Sequence, residues 1–151
     1  MKNGMSYEEY LEKHGTLTYT NVGVSMLPLL RQGRDLFTVK KKGSKRCRRG
    51  DVVLYRRPPD KYVLHRVIET RPEDYVILGD NCVKKEYGIR DSDIIGVMIG
   101  YVRNGKERSV NFLPYRLYSG FILCTVGPRT LLKRIKMRTR SAVKRIVYGK
   151  K

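Results

Sequence analysis

A mainly β domain followed by a basic helical extension is the fold this chain predicts, on three observations. Between residues 16 and 110, short runs of alternating apolar and polar side chains follow one another, punctuated by Gly, Pro, Asn and Asp. Beyond Phe112 the apolar period lengthens to that of a helix. The charge is also lopsided: of a net +19, the stretch after Glu107 holds no acid and twelve Lys and Arg. At 151 residues the chain is one domain in length. Residues 1–151 are read as that domain, with short antiparallel strands over 16–110 and the extension over 111–151.

The elements follow in order. Ser6 opens "SYEEYLEKHG" with Glu9 three residues on and Gly15 at the end, which predicts a capping box, a short N-terminal helix and a glycine stop. His14, in its last turn, suits a helix terminus. "TLTYTNV" (16–22), "DLFTVKK" (35–41) and "DVVLYRR" (51–57) read as strands, the last ended by Pro58 and Pro59. "KYVLHRVIET" (61–70) returns across a hairpin, and "DYVILGD" (74–80) follows. "DIIGVMIGYVRNGKERSV" (93–110) predicts two strands about "NGK". In the extension, Leu131, Leu132, Ile135, Ala142, Val143 and Ile146 recur at helical spacing, Thr139 fills the gap, and Pro128 suits a first turn.

Several classes of function drop out. Cys47, Cys82 and Cys124 are odd in number and widely spaced, and there are only two His, so neither a disulfide framework nor a metal site is expected. No cofactor is called for. The N-terminus is polar where a signal peptide would be apolar. "LYSGFILCTVGP", the longest apolar run, falls short of the roughly 20 residues that cross a bilayer. A cytoplasmic or peripherally membrane-associated chain is expected. The basic block suits a polyanion, and an amphipathic helix over 129–151 suits an anionic membrane surface better than nucleic acid.

Three segments carry the chemistry: "GVSMLPLLRQGRD" (23–35), "GDVVLYRRPPDKYVLHRVIE" (50–69) and "YVILGDNCVKKEYG" (75–88). Each alone is ordinary: Ser25 a turn serine, His65 a strand histidine, Asp80 and Asn81 a turn. In this order and spacing they resemble the signal peptidase I family and its LexA-type relatives. The resemblance rests on Ser25, Met26, Pro28, Gly33 and Asp35, then Gly50, His65, Arg66 and Val67, then Gly79, Asp80 and Asn81. Lysine stands in many relatives where this chain has His65, so it looks closest to the Ser/His branch of archaeal and endoplasmic-reticulum signal peptidases.

That resemblance implies a serine endopeptidase acting on a signal or leader peptide within a precursor, with residues 16–110 as its catalytic core, a small coiled antiparallel sheet. Ser25 would be the nucleophile, which serine becomes only beside a base. His65 would be that base, titrating near its ordinary pKa of about 6.5. A carboxylate should orient it, and two acids can serve: Asp80, inside the GDN box, or Glu86, which the position of the family's acid favours. Met26, Leu27, Leu29 and Leu30 would line a groove for an extended peptide. Cys82 is read as a small packing residue. Gly23 stands where signal peptidases often carry a hydroxyl for the oxyanion hole, so a second donor is wanting. The alternative is a non-catalytic or self-cleaving regulator that binds nucleic acid through the tail.

Overall fold

A computed structural model describes residues 5–59 and 61–148, the side chains of 141–148 excepted. Its first element is helix α1 (Tyr7–His14), capped as the sequence predicts. Ser6 and Glu9 hydrogen-bond each other's backbone N–H, and Gly15 ends the helix at φ 73°. A residue with a Cβ would be strained in that left-handed conformation. The His14 ring packs on Tyr10 at 4.4 Å.

Eight strands follow among the described residues: β1 (Thr16–Thr20), β2 (Leu36–Lys41), β3 (Val52–Arg57), β4 (Lys61–Thr70), β5 (Tyr75–Leu78), β6 (Glu86–Ile89), β7 (Ile94–Arg103) and β8 (Lys106–Ser109). They form one sheet in the order β1-β2-β7-β3-β4-β5-β6, with β8 pairing β7, and every pairing is antiparallel. The mainly β fold is therefore as the alternation predicts. The NGK turn puts Asn104 and Gly105 at positive φ between paired Arg103 and Lys106, as a two-residue hairpin requires. The sequence reading missed β6. It is short, polar and half-exposed, so it shows no alternation.

Two helices follow the sheet, α2 (Leu113–Cys124) and α3 (Val126–Tyr148). The apolar run "LYSGFILCTVGP" lies mostly in α2, and Pro128 falls in the first turn of α3. No helix among the described residues is long and apolar enough to cross a membrane. The side chains of Ala142, Val143 and Ile146 lie outside the described residues.

The main core joins α1, β1, β2, β3, β4 and β7 to the loop 21–35 through Leu11, Leu17, Met26, Leu30, Phe37 and Val39 among others. A second cluster, with Val53, Tyr55, Val67, Tyr75 and Ile77, fills the space between β3, β4 and β5.

Candidate active site

Ser25 sits on the loop between β1 and β2, and apolar burial holds that loop in place. Met26 and Leu30 are fully buried and Leu29 is nearly so. They do not line a groove, as the sequence reading expected, and half-buried Leu27 does not either. Three large apolar side chains at the base of a loop gain more by entering the core than by facing a wet cleft. Asp35 closes the loop by accepting from the Arg31 N–H at 2.9 Å and from Arg34 at 2.6 Å.

The register of the sheet assembles the rest. On β4, His65 and Arg66 are adjacent, so their side chains leave opposite faces. His65 pairs across from Val53. Ile77 of β5 pairs with Val67 on one side and Glu86 on the other. Glu86 therefore shares a face with Val67 and His65, two strands away from them. Tyr55 and Arg57 on β3 share that face as well.

The result is a connected network. Glu86 Oε1 lies 3.0 Å from His65 Nδ1. Arg57 holds the same carboxylate through both of its oxygens, Nε donating at 2.8 Å. The Tyr55 hydroxyl lies 3.4 Å from His65 Nδ1 and accepts from Arg57 at 3.3 Å. Burial disfavours charge on Glu86, but His65, Tyr55 and Arg57 outweigh it and bring its pKa down to about 2. Burial likewise disfavours charge on His65, while the Cys82 sulfur and Glu86 draw the proton in and raise its pKa above the ordinary value. The expectation of titration near 6.5 is corrected upward.

Asp80 plays a different part. Both of its oxygens accept from Arg66, at 2.8 Å each, and Tyr118 donates to it at 2.9 Å. Arg66 also donates to the Gly50 carbonyl and to Ser119 of α2. Asp80 thus ties the second and third motifs to α2, on the face of β4 away from His65. The alternation of β4 was the available signal for this split.

The third motif also fixes the Ser25 loop. Asn81 N–H donates to the Ser25 carbonyl at 2.7 Å, and the Asn81 side chain donates to the Val24 carbonyl at 3.1 Å. Gly79 is a point of close approach. A Cβ there would meet the Cys82 sulfur at 2.8 Å, the Ser25 carbonyl oxygen at 2.8 Å and the His65 ring at 2.9 Å. Real Cβ atoms do not come so close, so only glycine fits. Cys82 is thus packed, as expected, but packed against His65. The Ser25 hydroxyl and its backbone N–H have no hydrogen-bond partner among the described residues. The Gly23 N–H is already taken by Gln32, at 2.8 Å.

Ser25, His65, Cys82 and Glu86 all face one cleft of about 1060 Å³. Its apolar wall comes from Tyr7, Tyr19, Phe37, Leu54, Tyr62 and Leu64, none of which the sequence reading chose. These side chains lie on five separate elements, and no sequence spacing links them. Tyr7 meets Tyr19 and Tyr62 edge-on at 5.3 and 4.6 Å.

The opposite wall is α3. Lys133 donates to the Asn81 carbonyl at 3.0 Å and to the Asn81 side chain at 2.5 Å, and Arg129 donates to the Asp80 carbonyl. Lys133, Lys136, Met137 and Arg140 face the cleft. No group of His, Cys, Asp and Glu among the described residues is arranged to hold a metal ion. Comparison with protein-family models, curated proteins and solved structures returned no match.

Proposed function

We propose that this protein is a serine endopeptidase of the signal-peptidase type, cleaving a signal or leader peptide from a precursor by acyl transfer. The observation that carries the reading is the 3.0 Å contact of His65 Nδ1 with an arginine-held carboxylate, in the cleft that Ser25 shares. A Glu86 carboxylate accepting from Nδ1–H leaves Nε2 as the basic nitrogen. Nε2 takes the Ser25 proton as the hydroxyl attacks the scissile carbonyl, and Glu86 stabilises the imidazolium that results. The unused Ser25 N–H can donate to the oxyanion. The imidazolium then protonates the leaving amine, and water hydrolyses the acyl-enzyme by the reverse proton path. The peptide lies extended along the apolar wall.

A second reading has its own observation. The Cys82 sulfur packs against the same imidazole, which makes it a rival nucleophile. Mass spectrometry of peptide cleavage separates the two. Ser25→Ala and His65→Ala should each abolish turnover, and Cys82→Ala should retain it. The reverse result for Ser25 and Cys82 moves the nucleophile to sulfur. Full turnover in His65→Ala ends both readings.

We also infer that the enzyme works at an anionic membrane surface. On α3, Leu131, Leu132 and Ile135 are 51–66% exposed on the side away from the cleft, beside Arg134 and Arg138. Leu113, Leu117 and Phe121 form a second exposed stripe on α2. Basic residues flanking exposed apolar ones suit such a surface. Sedimentation with anionic but not neutral vesicles, lost in Leu132→Ser/Ile135→Ser, tests this. Nucleic acid binding that survives the same change would favour the regulator instead.

A further inference from the structure

The cleft has one acid among its described lining residues, Glu86, and that acid is already engaged by Arg57 and His65. Against it stand Lys84 on one rim and Lys133, Lys136 and Arg140 on the other. Lys133 is held by Asn81, but the side chains of Lys84, Lys136 and Arg140 meet no acceptor among the described residues. On α3, Lys133, Lys136 and Arg140 follow one another at helical spacing, so a single helix face aims three cations into the cleft. Cations around a concave, partly apolar site focus a positive field there.

We propose that the cleft selects a peptide carrying acidic side chains, with carboxylates two residues apart set against Lys136 and Arg140. This names a substrate class and rests on the endopeptidase reading. The spacing follows from geometry. One helical turn from Lys136 to Arg140 advances about 6 Å. Two residues of extended peptide advance about 6.6 Å, and residues two apart point the same way. The intervening side chain then faces the wall of Tyr7, Tyr19, Phe37 and Tyr62.

The test uses the full chain carrying Ser25→Ala, which binds without consuming its probe. Fluorescence anisotropy compares three labelled ten-residue peptides, alike except for Glu, Gln or Lys at two positions two apart within an apolar sequence. The Glu peptide should bind about fivefold more tightly than the Gln peptide, and the Lys peptide most weakly, with the gap closing as salt rises. Lys136→Glu/Arg140→Glu should erase the preference. Arg134→Glu/Arg138→Glu, an equal charge change on the side of α3 away from the cleft, should keep it. If reversal at Lys136 and Arg140 unwinds the helix, Lys136→Gln/Arg140→Gln carries the same comparison.

Equal binding of Glu and Gln peptides overturns the proposal. So does an equal loss in the Arg134/Arg138 pair, which would reduce the effect to net charge. Displacement of the Glu peptide by a single-stranded oligonucleotide at far lower concentration also overturns it, because the cations would then serve nucleic acid. If the wild-type chain cleaves none of the peptides while the preference holds, the endopeptidase reading falls and the acidic-peptide site stands.

Discussion

Arg66–Asp80 and Arg57–Glu86 are the same chemical pair in two surroundings. Both side chains of the first are wholly buried. Those of the second are 39% and 19% exposed, at the edge of the cleft. Asp80 is saturated by Arg66 and Tyr118, and Arg66 by Asp80, Gly50 and Ser119. Glu86 instead reaches past its arginine to His65. A buried pair with every bond satisfied can only hold structure together. A pair whose carboxylate oxygen is shared with an imidazole can take part in proton transfer.

The comparison breaks most sharply at Arg66. Arg66→Met leaves Asp80 buried without its cation and should cost about 3–5 kcal/mol in a denaturant titration. A loss below about 1 kcal/mol would mean that the pair is not structural. Next comes Glu86→Gln, where turnover should fall about 100-fold or more while the stability loss stays below that of Arg66→Met. Normal turnover with a large stability loss would make Glu86 a second Asp80.

Gly79→Ala falls between the two regions. Its methyl would press on the Ser25 carbonyl and the His65 ring, so stability should drop by about 1–3 kcal/mol and turnover with it. An alanine variant of native stability and full activity would refute the close approach. The smallest effect is on pH. His65 must be neutral to act as base, and its pKa is raised, so the rate should rise through a midpoint above about 6.5. Glu86→Gln should move that midpoint down in the residual rate, and an unmoved midpoint would uncouple the two groups. Stability follows the same pair in two windows. The Glu86 contribution, with a folded pKa of about 2, is present above 4.5 and is lost as pH falls towards 2. The His65 contribution is present below about 6.5 and is lost as pH rises through the raised value.

What could be read along the chain is what neighbouring residues decide among themselves. The capping box of Ser6 and Glu9 closes within one turn. The 61–70 strand runs over the residues its alternation predicts, and Asn104-Gly105 makes its turn because positive φ is a local requirement. The positions of Ser25, His65 and Glu86 could be singled out from motif order. Their meeting could not, since nothing local says that β5 lies between β4 and β6, or that Ile77 opposes Val67 and Glu86 in one row.

The sequence by itself determined the mainly β class, the N-terminal helix and the basic helical end, because periodicity and capping act over a few residues. The tertiary structure alone decided that Met26, Leu29 and Leu30 are core rather than groove, and that Asp80 turns to Arg66 while Glu86 turns to His65. It also decided that one face of α3 forms a wall of the cleft. The physical reason is the same in each case. Burial and ion pairing depend on which surfaces meet, and those surfaces are brought together by strand order and helix docking across dozens of residues of chain.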